Sequence, residues 1–536
     1  MAYSPTQIIA SVAVVLLAIL VRKVLQIGQR PAGLPPGPPT VPIFGNLHLI
    51  PKHDVHLQLQ KWAQEYGPVY SLVLGTKIMI ILSSDRAIKD IMDKKSSISS
   101  DRMDMYIGQK VASGGLRILM MRYGQTWRMV RRIMHDLLNV KAARDFEPYQ
   151  VLENQQMMYD VLTDPDNYVA HVRRFANSLM TTTTFGYRTP TCQDRNLEEL
   201  MTVLDNFLEL AQTGLAAFLD YLPALQMLPT WMLPLKQHAI ANHRREKILF
   251  RSHWDKAKAH VLTQERPNPS FSVGLVREQQ KHGFDDDFAA YITGTLLEAG
   301  TDTTASTLVW FLCAMLVFPE VQERAKAELD RVVGPDRMPM VEDEPSLQYV
   351  RGCVKESLRW NSVNITGVMP HALLQEDYYM GFRLPKGAAL VNNVFTIHGD
   401  AVRYPNPLQF DPDRFKDDKQ SLYEAAVNPD PSQRDQFSFG AGRRICPGIH
   451  VADRSLFLGI SRLLWAFDFK RPVGADGKEI VPDPSKISQG FLAAPLPFKA
   501  VITPRDAKRA EIIRREWDHA SREYLNSETM QWKNPR

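Results

Sequence analysis

Phe439-Gly-Ala-Gly442-Arg-Arg444-Ile-Cys446-Pro-Gly448 is the run that decides how this chain is read. Its glycines allow a tight backbone loop whose N–H groups can be aimed at one sulfur. Arg444 lies two residues before that sulfur, and from Gly448 an apolar, helix-like stretch runs through Phe469. Taken alone, Cys446 is a small buried hydrophobe in a turn, the ordinary condition of a free cysteine. Taken with Phe439, Gly442, Arg444 and Gly448 at these spacings, it is a thiolate held still by its loop.

The rest of the composition sets bounds on that reading. The chain has 536 residues, 44% of them hydrophobic and 23% charged, enough for one large α-rich body. A net charge of +5 is mild and gives no footprint for nucleic acid. Cys192, Cys313, Cys353 and Cys446 show neither close pairing nor metal-knuckle spacing, which points to a reducing compartment. Residues 2–21 are uncharged and mostly apolar, about the length that crosses a bilayer, and Arg22, Lys23 and Arg30 follow them. The positive-inside rule then puts the remainder on the cytosolic side. A cleaved signal peptide fits less well, because the basic n-region is missing.

Organisation follows from local composition. Residues 1–30 read as a membrane anchor and 31–42, with Leu-Pro-Pro-Gly-Pro-Pro, as a stiff extended spacer. A catalytic body covers 43–503, and 504–536 form a charged, helix-like tail with a solvated face carrying Lys508, Arg509, Arg514 and Arg515. Runs at 69–74 and 78–82 flank Gly75-Thr76-Lys77, the pattern of a β-hairpin. There is no Gly-x-Gly-x-x-Gly dinucleotide fingerprint, so electrons for any redox chemistry come from another protein.

Three further segments carry unusual residues. The long apolar helix expected at 288–318 holds Ala299-Gly-Thr301-Asp302-Thr303-Thr304, poor helix formers whose clustering predicts a local distortion and a widened turn. Glu356-Ser-Leu-Arg359 puts opposite charges one helical turn apart in apolar company. Trp127 and Arg131, four apart, offer an indole N–H and a guanidinium fork suited to a carboxylate.

The run ending at Gly448 matches Phe-x-x-Gly-x-Arg-x-Cys-x-Gly, and with it the chain resembles the cytochrome P450 family. Residues 299–304 resemble that family's oxygen-activation motif. Glu356 and Arg359, with Pro407-Leu-Gln-Phe410-Asp-Pro412-Asp-Arg414-Phe415, resemble its Glu-x-x-Arg and Pro-x-x-Phe-x-Pro-x-Arg-Phe elements. Trp127-Arg-Met-Val-Arg131 resembles its Trp-x-x-x-Arg segment. The resemblance implies a mainly α fold with a small β-rich lobe, and haem whose iron takes Cys446 as axial ligand. It implies that Trp127, Arg131 and His371 serve the propionates, with Arg444 and Phe439 also at the haem. Asp302 and Thr303 would deliver protons to bound O₂, and Glu356, Arg359 and Arg414 would form a buried structural network. The closer likeness is to fungal microsomal monooxygenases of secondary metabolism: endoplasmic-reticulum membrane, a single span, a cytosolic catalytic domain, NADPH–cytochrome P450 reductase as electron donor and a lipophilic small molecule as substrate. Its pocket is expected from 103–119, 207–225, 363–368 and 489–492. A haem-thiolate isomerase or dehydratase needs no Asp302-Thr303 pair, and a haem sensor needs no such apolar segments.

One stretch departs from the family pattern. Between Arg359 and His371, Ser362 stands where relatives have proline, and one residue is added before Pro370. Asn364-Ile-Thr366 also spells a glycosylation sequon, which a cytosolic placement leaves unused.

Overall fold

The computed structural model describes residues 5–212, 214–490 and 492–533. Helix α1, Pro5–Gln26, keeps its apolar side chains exposed and is covered by no other element among the described residues. At 22 residues it is about 33 Å long, enough to cross a hydrocarbon core of about 30 Å.

The proline-rich segment is extended, as its composition predicts, yet it is no free spacer. Arg30 donates to the carbonyls of Pro35, Pro38 and Ser71 at 3.0–3.1 Å, and Ser71 Oγ donates to Pro35 O at 2.6 Å. Asn46 Nδ2 holds the carbonyls of Pro38 and Pro39. Prolines bring no N–H that needs a partner, so their carbonyls are free to take these donors, and the segment lies along the body's first strand.

That strand, β1 (Val69–Leu74), forms a hairpin with β2 (Lys77–Leu82) in the register Val69↔Leu82 to Leu74↔Lys77. With β3 (Asp101–Arg102), β4 (His371–Ala372) and β5 (Ala389–Asn392) they make a sheet in the order β1-β2-β5-β4-β3. Only the β2–β5 pairing is parallel.

Helices form the larger part: α2 (Gln125–Leu138), α3 (Glu147–Thr163), α4 (Tyr168–Phe185), α5 (Arg195–Gln212), α6 (Pro234–Thr263), α7 (Asp286–Val317), α8 (Gln348–Arg359) and α9 (Ile449–Ala466). Asp285 caps α7 by accepting from Phe288 N at 2.8 Å. Helix α7 is apolar enough to cross a membrane, but it packs against α4, α6 and α9 and is mostly buried, so it is the central core helix.

Two elements differ from the sequence reading. The apolar run after Gly448 leaves the helix at Ala466, and Phe467–Lys470 is strand β6, antiparallel to β7 (Val501–Pro504). Phe467 and Phe469 are buried while Asp468 and Lys470 turn outward, a period of two that a helix cannot satisfy. The tail is also part of the body. Helix α10 (Ala507–Tyr524) exposes Arg514 and Arg515 but buries Ile513, Trp517 and Ala520 against α3. Beyond it, Arg188 and Gln531 exchange two hydrogen bonds at 2.8 and 3.0 Å. The spacing of those three buried side chains is one helical face, masked in the sequence by its charged neighbours.

Candidate active site

The cysteine loop is pinned at almost every turn. Gly440 and Gly442 have φ of 74° and 64°, and a Cβ on Gly442 would meet Met92 O at 2.1 Å, so only glycine fits. Gly442 N donates to Asp93 Oδ1 at 2.7 Å, and Arg434 joins Asp93 to Gly440 O. Cys446 N donates to Phe439 O at 2.9 Å, closing the loop between the first marked residue of the motif and the cysteine. Burial raises the Cys446 thiol, opposed by the Gly448 N–H and by Arg131. Cys446 itself keeps some accessible surface.

Cations gather beside that loop. Arg444 donates to Ser100 O and Met121 O, both at 2.7 Å, and its guanidinium lies 4.4 Å over the Trp127 ring. Buried Trp127 also packs on Tyr123, with centroids 5.3 Å apart. Arg131 donates to Ile445 O, so its partner in this structure is the cysteine loop. His371 is buried with Nδ1 3.0 Å from Ser99 O. Its strand partner is Arg102, which the motif reading missed; Arg102 donates to Leu119 O at 2.9 Å and to Met369 O. Burial pushes Arg102 well down, and Arg444 adds to the fall. Burial brings Arg444 down to about 10, with Arg131 contributing. The nearby carboxylate of Asp101 is taken by Arg122 through bonds of 2.8–2.9 Å. A concentration of buried cations that depress one another is a place for a doubly anionic edge, and haem propionates fit it.

On the distal side, Ala299 is exposed and Gly300, Asp302, Thr303 and Thr304 are half-buried, between buried Glu298 and Ala305. Exposure midway along a core helix marks an internal opening. The widened turn expected here is absent, since α7 keeps α-helical hydrogen bonding throughout. Thr303 Oγ1 donates back to Ala299 O at 2.6 Å and Thr307 Oγ1 to Thr303 O at 2.8 Å, so the hydroxyls are absorbed without breaking the ladder. Gly300 serves packing, because a Cβ there would come within 2.3 Å of Met180 Sδ on α4. Burial raises Asp302 to about 6; Arg173 opposes this, while Asp205 and Glu298 reinforce it.

Behind the loop, buried Arg359 grips buried Glu356 at 2.6 and 2.7 Å, and half-buried Arg414 reaches Glu356 Oε1 through Nε at 3.3 Å, the network the sequence led us to expect. The irregular segment after α8 is tied to the same region. Ser362 Oγ is 2.7 Å from Ser438 Oγ, and Asn364 Nδ2 donates to Ser438 O at 3.0 Å. That amide is buried, so the sequon is not a modification site in the folded chain. In this segment Gly367 and Val368 both have positive φ, and His371 beyond it pairs with Arg102. Of the expected pocket segments, Met103, Met105, Ile107, Phe207, Leu210 and Leu219 fall in one apolar cluster, joined by Met369 just beyond the third segment. Thr213 and Phe491, within two of those segments, lie outside the described residues.

The cytochrome P450 family model matches residues 35–501. The chain is 48% identical to cytochrome P450 monooxygenase virE of Hypocrea virens, over 96% of this chain and 93% of that protein. It is 45% identical to cytochrome P450 monooxygenase fogE of Aspergillus ruber, over 98% and 97%. Among solved structures, a zebra fish cytochrome P450 with progesterone superposes with a TM-score of 0.69 at 23% identity, covering 84% of this chain and all of that one, which speaks for the fold. The relatives span the whole body and the pinned cysteine loop lies at its centre, and on that ground the chain belongs to the cytochrome P450 family, as a haem-thiolate monooxygenase.

Proposed function

We propose that this monooxygenase inserts one oxygen atom of O₂ into a lipophilic small molecule of fungal secondary metabolism. It works from the endoplasmic-reticulum membrane, with electrons from NADPH–cytochrome P450 reductase. Bound haem supplies O₂ binding and activation; Cys446 would ligate its iron, and Arg102, Arg444, Trp127 and His371 would hold its propionate edge. Arg131, on Ile445 O, fixes the loop that carries the ligand. Phe439 closes that loop through its carbonyl. Thr303 holds a water at its hydroxyl beside the opening, and Asp302 gives and regains the proton. The apolar cluster of Met103, Phe207 and Met369 excludes bulk water from the substrate.

The observation that carries this reading is the opening at Ala299 and Thr303 in a helix otherwise enclosed by protein. Its direct test is reconstitution of the full chain with purified reductase and NADPH, fed with the precursor that accumulates when the gene is deleted. Oxygenated product dependent on NADPH is expected; conversion without NADPH would favour an isomerase instead.

The anchor has its own test. Removing residues 1–26 is expected to release most of the protein from membranes under alkaline carbonate and leave haem loading intact. Removing 1–30 also deletes Arg30, with its contacts to Pro35, Pro38 and Ser71, and is expected to cost a further 1–3 kcal/mol or so of stability. Retention of the shorter truncation in the carbonate pellet would refute a single anchor.

A further inference from the structure

Beneath the loop at Gly114–Gly115, a buried set of charges sits outside every motif of the sequence reading. Arg117 donates one arm to Glu298 of α7 and the other to Glu246 of α6, with all three side chains essentially inaccessible. Its guanidinium also lies 3.7 Å over the ring of Phe207 on α5. Tyr291, two turns before Glu298, places its hydroxyl 2.8 Å from Glu246 Oε2 and 2.6 Å from His243 Nδ1. His243 is only half-buried and reaches solvent.

We propose that His243, Tyr291, Glu246 and Glu298 form a proton-supply line that reloads Asp302 from solvent, with Arg117 holding the line in register. The inference rests on the reading that Asp302 and Thr303 deliver protons at the oxygen side.

Charge balance is the first argument. Two buried carboxylates share one guanidinium, so the cluster is neutral only when one carboxyl keeps its proton. Glu298 Oε1 has no partner among the described residues, and the carboxyl of Glu246 lies within hydrogen-bonding reach of Glu298. A proton kept by one of the two carboxyls gives the pair a donor that two carboxylates lack. Burial raises both carboxyls and Arg117 opposes the rise at each; the charge of Glu298 raises Glu246 further, while a hydrogen bond from Glu246 brings Glu298 down.

Hydrogen-bond direction is the second. The Tyr291 hydroxyl has one proton and two neighbours. Either it donates to Glu246 and accepts from His243 Nδ1–H, or it donates to His243 and accepts from a protonated Glu246. The two arrangements differ by the passage of one proton along the chain. Position is the third. Glu298 and Asp302 are four apart on α7, which sets their Cβ atoms about 6 Å apart, a gap one water can bridge.

Monooxygenation consumes RH, O₂, two electrons and two protons and yields ROH and H₂O. The electrons come from the redox partner, so both protons come from solvent. When Asp302 gives up its proton it takes another from the Glu298–Glu246 pair. Tyr291 passes its own to Glu246 and is refilled by an imidazolium at His243, which solvent recharges. The groups facing this line are Lys247, Asp287 and Arg117 around His243, and Arg173, Asp205 and Ser306 around Asp302.

The test uses haem-loaded full-length protein, purified NADPH–cytochrome P450 reductase, NADPH and no added substrate, and reads peroxide released per NADPH. Two-electron reduction of O₂ ends in peroxide and four-electron reduction in water, and prompt protonation favours water. Glu298→Gln is expected to raise the peroxide ratio roughly tenfold, below the ~10²-fold scale of a lost general acid, and Glu298→Asp to restore part of it. His243→Gln is expected to raise the ratio most at low pH, where the imidazolium that refills Tyr291 is populated, and least at high pH, where burial and Lys247 already leave the ring neutral. Independently of turnover, one component of the infrared carboxylic-acid absorption of the resting protein is expected to be lost in both Glu298→Gln and Glu246→Gln, because one shared proton gives rise to it. An unchanged ratio in Glu298→Gln, with Asp302→Asn raising it, would reduce the cluster to a structural clasp. If neither variant moves the ratio, the Asp302 reading itself fails. Should Glu298→Gln not load haem, His243→Gln and Tyr291→Phe decide, and an unchanged ratio in both overturns the proposal.

Discussion

The cysteine loop and the middle of α7, which our proposal makes the two sides of one reaction, are built in opposite ways. The loop is over-determined: Gly442 has no room for a Cβ, and Asp93, Arg434, Phe439 and Arg131 each hold part of its backbone. The α7 segment is left more open, Thr303 and Thr307 bonded back to their own helix and Ala299 exposed, with Thr301 alone tied to α4 through Asn177. A metal ligand gains from rigidity, since any displacement weakens the bond it makes. The oxygen side must admit gas, water and substrate, so its polar groups are few and mobile protons matter more than fixed contacts.

This contrast can be broken most severely at the ligand. Cys446→Ala is expected to abolish the thiolate-type absorption of the reduced, CO-bound protein; an unchanged spectrum would remove Cys446 from the iron. Next is the network behind the loop. Glu356→Gln leaves Arg359 and Arg414 buried without their carboxylate, with an expected loss of about 3–5 kcal/mol, read as failed haem loading or a lower midpoint in urea.

On the open side the same kind of change should spare the fold. Thr303→Ala is expected to load haem normally and to raise peroxide per NADPH by about 10²-fold or less, since water can partly replace the hydroxyl. A normal ratio there would mean that the opening needs no hydroxyl. Asp302 gives the smallest effect and sharpens the contrast through pH. Its folded pKa is raised from 3.8 to about 6, chiefly by burial, so the folded state holds this proton more tightly than the unfolded chain does. The native state is therefore favoured at low pH and loses stability as pH climbs through that window, by up to about 3 kcal/mol. The melting temperature of Asp302→Asn minus that of the parent should grow between pH 4 and 6 and level off above. A flat difference would mean that Asp302 is solvated.

Much of this was legible in the order of residues because each legible part is local. The loop motif, the Glu356–Arg359 pair and the hairpin at Gly75 depend on neighbours within about ten positions, where backbone geometry alone decides who can meet. Composition likewise marked α1 and α7 as apolar helices, but only packing separates the exposed one from the core one. The widened turn expected at Thr303 failed for a related reason: back-bonding to Ala299 accommodates the hydroxyl inside an ordinary helix.

What the tertiary structure decided involves partners far apart in the chain. Arg102 meets His371 through sheet pairing, although the two stand far apart in the chain. Arg117 finds Glu246 and Glu298 across three elements, and the proline segment and the tail became parts of the body through Arg30 and Trp517. A charged residue reads as solvated unless its partner is known, and long-range pairing leaves no periodic trace. Thus the ligand loop and the class of chemistry follow from the sequence itself, while the cationic cradle and the buried acid pair exist only once the chain has folded.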